Sequence, residues 1–238
     1  WIKQQLGDRH LSITERDDLA MIALQGPNAA SILTSMSGMA EFDQLRPFRF
    51  MLAGDWFIAR TGYTGEDGCE IILPNGQAVA LWNALVHLGA EPCGLGARDS
   101  LRLEAGLNLY GQDMTSVNSP LESNLVWTVA FEPAERDFIG RSALEAQRDA
   151  GVEQQLVGLV LGPGGIARTG AKVQTDAGVG VVTSGGFSPT LERPIAMARM
   201  PVGVAGEVAV ALRGKQRSAQ VVKMPFVRNG AMREGLLD

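Results

Sequence analysis

The sequence predicts an α+β unit over residues 1–150, followed by a small all-β barrel over residues 151–238. Two observations lead to this fold class. Before residue 150, helical and strand patterns alternate without the strict βαβ order of a doubly wound sheet. After residue 151, short β-branched segments are separated by glycine and proline clusters, and long helical periodicity is absent. We therefore expect a domain boundary near Ala150–Gly151.

In residues 1–150, four segments have helical patterns and two have strand patterns. The first helix follows Pro27, which suits the first turn of a helix because it needs no N–H there. The other helices are each ended by a glycine. The predicted helices after the first are Gln77–Leu88, with a broad apolar stripe, Ala97–Ala105 and Arg141–Ala150, and the strands are Trp56–Arg60 and Cys69–Leu73.

In residues 151–238, four segments have the length and composition of strands. Gly162-Pro163-Gly164-Gly165 is one of the clusters that separate them. Frequent turn signals between short strands are typical of a barrel or sandwich. The predicted strands are Leu156–Leu161, Gly178–Thr183, Glu207–Leu212 and Ala219–Met224.

Composition excludes several classes of protein. Of 238 residues, 45% are hydrophobic and 20% charged, which argues against disorder. No apolar run approaches the roughly 18 residues of a membrane span. Residues 1–150 carry a net charge of −9 and residues 151–238 one of +4, and neither has the dense basic run of a nucleic-acid footprint. The two cysteines cannot form a disulfide framework, so we expect a cytoplasmic location.

Hydrolase triads and metal sites are disfavoured because the residues they need are scarce. The chain has only two histidines, His10 and His87, and we expect both to be structural or surface residues. Cys69 and Cys93 lack metal-ligand spacing and are expected to be core residues. The segment Gly94–Asp99 begins like a dinucleotide fingerprint but lacks its third glycine, so NAD binding is discounted.

The first segment that suggests a site is the glycine-rich loop and strand from Arg60 to Ile71. On the strand, Glu70 and Ile72 share one face, and both faces are largely apolar, so we expect Glu70 to be partly buried. A carboxylate removed from water needs hydrogen bonds. The paired N–H edge of an aminopyrimidine or pterin is one ligand group that matches two carboxylate oxygens. An internal ion pair or an exposed strand edge are the alternatives.

The second segment is the helix that follows Cys93. Arg98 and Arg102 lie on one helical face and repel each other unless an anion is near both. Arg98 also lies in the first turn, where a cation opposes the helix dipole. A carboxylate ligand, or Glu66 or Asp67 of the preceding loop, would neutralise Arg98, and a guanidinium suits bidentate capture of a carboxylate. Local ion pairs with Asp99 or Glu104 explain the pattern equally well.

Six segments in order along the chain resemble the T-protein of the glycine cleavage system, an aminomethyltransferase that uses tetrahydrofolate. Two of them are the loop and the helix just described. The remaining four similar segments are Leu24–Ala29, Asn108–Gly111, Val182–Leu191 and Lys223–Arg228. The resemblance covers about residues 20 to 228, which is nearly the whole chain.

The resemblance implies a specific reaction. Members of this family take the aminomethyl group from the lipoyl arm of the H-protein, release ammonia and pass the one-carbon unit to tetrahydrofolate, and no metal takes part. The implied fold is a ferredoxin-like, α+β folate-binding domain followed by the barrel.

It also implies roles for five residues. Glu70 corresponds to the glutamate that holds the pterin edge, and Arg98 to the arginine near the folate. Trp127 matches an aromatic residue at the cavity wall, with an ordinary core aromatic as the alternative. Tyr63 and Arg228 are weaker candidates for the cavity rim.

The sequence departs from the family pattern at its start. Family members carry, before the segment that matches Trp1, a region that supplies the aspartate near the reacting folate nitrogen and part of the folate cavity. We therefore expect an excised or truncated polypeptide with no catalytic residue of its own. By itself it should be inactive and bind folate weakly or not at all.

Two other functions use related sequences. One is a non-catalytic folate-binding scaffold of the iron–sulfur maturation type, whose loop carries a cysteine before the tyrosine; here the loop reads Thr61-Gly62-Tyr63, which favours the transferase. The other is the folate domain of a dimethylglycine or sarcosine dehydrogenase. The reading frame upstream of Trp1 would separate these functions.

Overall fold

The computed structural model describes residues 1–7 and 9–236, which form two compact units. The first unit comprises residues 1–62 and 67–92. The second comprises residues 63–66 together with the described residues from Cys93 onward. The short segment 63–66 therefore belongs to the second unit, although the strands on either side of it belong to the first.

The first unit is a four-stranded antiparallel sheet with helices on one face. The sheet order is β1-β4-β3-β2, so β4 and β3 are the inner strands. The elements are α1 (Ile2–Leu6), β1 (Leu19–Gln25), α2 (Ala29–Thr34), a 3-10 helix (Ala40–Gln44), β2 (Phe50–Ala53), β3 (Trp56–Ala59), β4 (Gly68–Pro74) and α3 (Asn75–His87).

The core of this unit lies between the sheet and its helices. Inner-strand residues such as Ile58 and Ile71 have no exposed surface, and neither does Leu33 of α2. They pack with Leu81 and Leu85 of α3. Alternation along the strands explains this layer, because every second side chain of β4 points to the same face.

The apolar face that helix α3 buries is narrower than the sequence predicts. Of the predicted stripe, only Leu81 and Leu85 are buried, whereas Val79 is 71% exposed and Trp82 45% exposed. One helix packed on one sheet buries a single face, so the additional apolar side chains of the broad stripe lie outside that contact.

The second unit is a closed six-stranded antiparallel barrel preceded by two helices. The barrel order is β10-β5-β8-β7-β6-β9. The elements are α4 (Leu95–Glu104), a 3-10 helix (Val126–Thr128), α5 (Arg141–Ala150), β5 (Gln154–Leu161), β6 (Lys172–Thr175), β7 (Gly178–Ser188), β8 (Arg193–Pro201), β9 (Glu207–Leu212), β10 (Lys215–Val222) and the hairpin β11 (Val227–Arg228) and β12 (Ala231–Met232).

A β-bulge interrupts β7 where it pairs with β8, between Val182 and Ser184. In a regular strand, consecutive side chains point to opposite faces, but a bulge changes that alternation. Here the consecutive residues Thr183 and Ser184 are both buried. The bulge therefore allows both hydroxyls to serve one buried site, which is described below.

The mixed α+β fold followed by a barrel confirms the predicted fold class. The boundary predicted near residue 150 falls between α5 and β5, and it stays a prediction. No helix among residues 1–7 and 9–236 is long and apolar enough to cross a membrane.

Candidate functional site

Glu70 lies in the middle of β4, in the first unit. Cys69, Ile71 and Leu73 point into the core with no exposed surface, and Glu70 lies on the opposite face, half-buried, as the alternation predicts. The residues opposite Glu70 on the two neighbouring strands are Ala23 and Ala59. Glu70 is therefore on an inner strand and not on an exposed sheet edge.

Within the described part of the chain, the partner of the Glu70 carboxylate is a hydroxyl group and not a cation. Thr61 Oγ1 donates a hydrogen bond to Glu70 Oε2 over 2.6 Å. Among the residues that the structure describes, none forms an ion pair with Glu70. The internal ion pair that was the alternative for this residue is thus not found there, and the carboxylate keeps acceptor capacity for another donor.

Asp67, at the end of the same loop, is in a different environment. Arg60 Nε lies 2.9 Å from Asp67 Oδ1, and Arg60 Nη2 lies 2.5 Å from Oδ2. The hydrogen bonds from Arg60 lower the pKa of Asp67, and the same pairing raises the pKa of Arg60. The suggestion that Asp67 neutralises Arg98 is therefore wrong, because its carboxylate is already paired with Arg60.

Arg98 and Tyr63 are brought together in the second unit. The exposed Arg98 guanidinium lies 4.6 Å from the centre of the half-buried Tyr63 ring, in cation–π geometry. The Tyr63 hydroxyl donates a hydrogen bond of 2.5 Å to the Asn108 carbonyl oxygen. Burial raises the pKa of the Tyr63 hydroxyl, so this group keeps its proton over a wider pH range.

Arg98 has no carboxylate partner among the described residues, so the proposed local pairs with Glu66, Asp99 or Glu104 are not found. Asp99 pairs with Arg102 instead, with Arg102 Nη2 at 2.7 Å from Asp99 Oδ1. A guanidinium stacked on a ring keeps its N–H edges directed away from the ring, so Arg98 retains donors for an anion.

Arg102 has a structural role that its spacing from Arg98 does not reveal. It is only 2% exposed and pairs with Asp113, which is 1% exposed, over 2.8 Å. The Asp113 carboxylate also accepts hydrogen bonds from Thr183 Oγ1 and Ser184 Oγ, at 2.5 and 2.9 Å. The two arginines thus do not share one anion, because Arg98 is exposed and Arg102 is neutralised internally.

Glu104, two residues further along α4, is buried in a second hydroxyl cluster. Its carboxylate accepts hydrogen bonds from Ser188 Oγ and from both the backbone N–H and the hydroxyl of Thr190. Sequence reasoning offered Asp99 as a local ion-pair partner for the arginines, and this pair is found for Arg102. It missed the partners of Arg102 and Glu104 that lie far along the chain. The only available signal was the run of small polar residues in the segment Val182–Leu191, which lies about 80 residues away along the chain.

The other two predicted site residues lie in the second unit and are exposed. Trp127 is 69% exposed in the 3-10 helix Val126–Thr128, so it is not an ordinary core aromatic. Arg228 is exposed in β11, where it pairs with Ala231 of β12. Glu70 belongs to the first unit and Arg98 to the second, and the common hollow predicted for them stays a prediction.

Within the described part of the chain, two of the cavities lie away from the predicted residues. One, of about 650 Å³, lies in the barrel unit and is lined by residues that include Asp176, Glu207 and Arg217. The other, of about 490 Å³, lies in the first unit beside Trp56 and Gln77. None of the five predicted site residues lines either cavity.

The remaining candidate metal and thiol groups offer little chemistry. Among residues 1–7 and 9–236, no group of three or more His, Cys, Asp and Glu side chains is arranged to hold a metal ion. Cys69 is buried in the core, and burial raises the pKa of its thiol to about 12. Cys93 is exposed, so its expected place in the core is wrong.

Two family models match the chain. The GCVT N-terminal domain matches residues 1–133, and the glycine cleavage T-protein C-terminal barrel domain matches residues 154–228. Together they cover both the α+β part and the barrel, in the order that the family requires.

Individual relatives agree with these models. The chain is 55% identical over 229 residues to an aminomethyltransferase from Methylococcus capsulatus, covering 96% of this chain and 63% of the relative. It is 50% identical to an aminomethyltransferase from Pseudomonas syringae, covering 97% of this chain and 65% of the relative. This chain thus spans a little under two thirds of the length of these relatives.

A solved structure is also similar. The crystal structure of glycine cleavage system aminomethyltransferase T from Bartonella henselae matches with a TM-score of 0.80 and 40% sequence identity. The match covers 90% of this chain and 61% of that protein. On this evidence the chain belongs to the glycine cleavage T-protein family of aminomethyltransferases.

Proposed function

We propose that the whole protein acts as the aminomethyltransferase of the glycine cleavage system, and that this chain by itself is inactive. The whole protein would transfer the one-carbon unit from aminomethyl-lipoyl H-protein to tetrahydrofolate, with release of ammonia, in glycine catabolism. Relatives named aminomethyltransferase share 50–55% of their aligned residues with this chain. Because the chain spans only 63–65% of those two relatives, the activity, substrates and partner of the whole protein are part of the proposal.

The observation that carries the proposal is the environment of Glu70. Its half-buried carboxylate accepts one hydroxyl hydrogen bond and, among the described residues, meets no cation. A partly desolvated carboxylate of this kind gains from a ligand that brings two parallel N–H donors. The amino group and ring N–H of a reduced pterin are such donors, so this residue fits tetrahydrofolate.

Arg98 fits the same ligand through its charge. Its guanidinium is supported on one side by the Tyr63 ring at 4.6 Å and is not neutralised by a described carboxylate. Folate carries carboxylates on its glutamate tail, and planar guanidinium groups bind carboxylates in a bidentate manner. Trp127 and Arg228, both exposed, are secondary candidates for the rim of the site.

The protein would contribute to the reaction by orienting the reactants and by electrostatic interactions with the ligand. When bound, tetrahydrofolate supplies the amine that takes up the one-carbon unit. Glu70 would hold the pterin edge and Arg98 would bind the anionic part of the ligand, so both are binding residues and not acid–base catalysts. Holding two reactants in register removes much of the entropic barrier of a bimolecular step.

The proposed partner is the lipoylated H-protein, and the proposed location is the cytoplasm. The chain has only two cysteines in 238 residues, too few for a disulfide-dense framework, which agrees with a reducing compartment. We propose no nucleic-acid or membrane partner.

Titration of tetrahydrofolate tests the binding part of the proposal. Ligand-observed NMR is suited to weak binding and can be applied to the unchanged chain and to Glu70→Ala. Loss of a partly buried charge-assisted pair should weaken binding by about 1–3 kcal/mol. Asp55→Ala, which removes an exposed carboxylate from the turn between β2 and β3, is the matched control and should bind as the unchanged chain does. Equal affinity of Glu70→Ala and the unchanged chain would remove Glu70 from the site.

The transfer reaction itself is tested with aminomethyl-loaded H-protein, by following ammonia and 5,10-methylenetetrahydrofolate. The aminomethyltransferase of Methylococcus capsulatus serves as the reference. The expectation from the sequence is that this chain by itself is inactive, and a rate near that of the reference would contradict that expectation.

A further inference from the structure

Thr61 is the one side chain among the described residues that forms a hydrogen bond with the Glu70 carboxylate, over 2.6 Å. Both residues are half-buried, so the bond is partly shielded from competing water. We propose that Thr61 is a positioning residue for ligand binding, because it holds the Glu70 carboxylate in the orientation that meets the donor edge of a pterin. This inference rests on the proposed function.

The strand register explains why Thr61 can reach Glu70. Ala59 of β3 lies opposite Glu70, and continuing that register sets Thr61 opposite Gly68. Thr61 and Glu70 are then diagonal neighbours on one face of the sheet, so the Thr61 hydroxyl can reach the carboxylate. Position 68 itself requires glycine, because a Cβ atom there would lie 2.3 Å from the Leu24 carbonyl oxygen.

The neighbours of Glu70 make this contact specific. Ala23 and Ala59, opposite Glu70 on the two adjacent strands, cannot donate a side-chain hydrogen bond. Without Thr61, no described side chain would hydrogen-bond the carboxylate, and a glutamate side chain with more rotamer freedom must be ordered when the ligand binds.

Thr61 is itself held in place by Gln25 at the end of β1. Gln25 Nε2 donates to the Thr61 carbonyl oxygen and to the Cys69 carbonyl oxygen, each at 3.1 Å. A Cβ atom at position 62 would lie 1.8 Å from Gln25 Oε1, so only glycine lets this amide pass. Gln25 thereby links the backbone of Thr61, and that of Cys69 next to Glu70, to strand β1.

The hydrogen bond leaves the carboxylate able to bind a ligand. Thr61 uses one acceptor position of Oε2, and a carboxylate offers about four such positions over its two oxygens. Oε1 and the second position of Oε2 can still accept the paired N–H groups of a pterin. Thr61 would therefore fix the plane of the carboxylate without occupying the edge that the ligand uses.

Ligand-observed NMR titration of tetrahydrofolate into four versions of the chain tests this inference. Thr61→Val keeps the β-branched shape and removes the hydroxyl, whereas Thr61→Ser keeps the hydroxyl. Thr61→Val should bind about threefold to tenfold more weakly, as expected when one flexible side chain must be ordered on binding. Thr61→Ser should stay within about twofold of the unchanged chain, since the donor is retained. Glu70→Gln, which keeps the shape but replaces an acceptor with a donor, should bind most weakly.

The outcomes separate this inference from the proposed function. If Glu70→Gln weakens binding and Thr61→Val does not, Glu70 binds the ligand without help from Thr61 and the inference is overturned. Unchanged binding by Glu70→Gln removes Glu70 from the site and overturns the inference with it. No saturable binding by the unchanged chain likewise overturns the inference, whereas the proposed function of the whole protein is tested separately by the transfer reaction. Thermal unfolding of each variant identifies a folding defect, and Thr61→Ala then replaces Thr61→Val in the comparison with Thr61→Ser.

Discussion

Two carboxylates close together in the sequence, Asp67 and Glu70, have different partners and hence different roles. Asp67 is held by the Arg60 guanidinium, and Glu70 by the Thr61 hydroxyl. A carboxylate that is already paired with a guanidinium contributes to the loop conformation. One that has only a hydroxyl partner remains able to bind donors from a ligand.

The Asp67–Arg60 pair should make stability depend on pH at the acid end. Arg60 lowers the pKa of Asp67 below its ordinary value of about 3.9, so the folded state favours the ionised form. The pair therefore stabilises the protein fully above that value, and the contribution is lost as the pH falls through the lower, folded pKa. The side chain of Asp67 is 43% exposed, so we expect only about 0.2–1 kcal/mol.

Thermal unfolding of Asp67→Asn checks this effect. At neutral pH the variant should melt slightly below the unchanged chain, and the difference should vanish in acid, below the folded pKa. Asp55→Asn, which changes an exposed aspartate in the same unit, is the control and should show no such difference. A gap between Asp67→Asn and the unchanged chain that persisted in strong acid would contradict the role assigned to the pair.

Residue patterns found the charged candidates but not the reasons for their environments. Glu70 and Arg98 stand out in the sequence because a strand carboxylate and a first-turn arginine are costly without partners. Asp113 did not stand out, since its hydroxyl partners Thr183 and Ser184 lie 70 and 71 residues away. Contacts between distant segments depend on tertiary packing, which local spacing does not encode.

Helix α4 is attached to the barrel by buried polar contacts at its C-terminal end. Arg102 bonds Ser184 of β7 directly and Asp113 through an ion pair, while Glu104 bonds Ser188 of the same strand. Arg98 lies about one turn before Arg102, on the exposed part of the helix, and depends on this anchoring for its position. Within the second unit, the element that carries Arg98 is therefore fixed by the barrel.

Replacing Arg102 with Met should destabilise the protein by about 3–5 kcal/mol, because it leaves the Asp113 carboxylate buried without its cation. Arg98→Met on the same helix is the matched control. It removes an exposed guanidinium and a cation–π contact, and should cost about 0.5–1 kcal/mol. Urea unfolding measures both, and a cost for Arg102→Met no larger than that for Arg98→Met would contradict the anchoring role.

The elements that the sequence predicted are those whose local pattern agrees with their final structure. Arg141–Ala150 and Glu207–Leu212 have the predicted bounds, and β4 differs from the prediction by one residue at each end. Several strands were missed, of which β1 and β8 are the longest. Strand β1, Leu19–Gln25, is rich in alanine, leucine and methionine, and β8, Arg193–Pro201, contains prolines, so propensity opposes both and only pairing in a sheet overrides it.

At the scale of the whole molecule, the predicted order of an α+β part and a barrel holds, and both family models match in that order. Composition and turn spacing were sufficient to predict this order. After Gly151, helical periodicity gives way to short β-branched segments separated by glycine and proline clusters. The strand pairing that closes the barrel could not be predicted from the sequence, because β6 has only four residues and pairs with β9 at two positions. Such short contacts leave almost no pattern in the sequence.

The central proposal is that Glu70 and Arg98 both bind tetrahydrofolate. Two-dimensional ¹H–¹⁵N NMR of the labelled chain during a tetrahydrofolate titration tests it most directly. The account predicts that the backbone amide signals of both residues and their neighbours shift together and fit a single dissociation constant. Saturating shifts at only one of the two residues, or shifts confined to other parts of the chain, would contradict it.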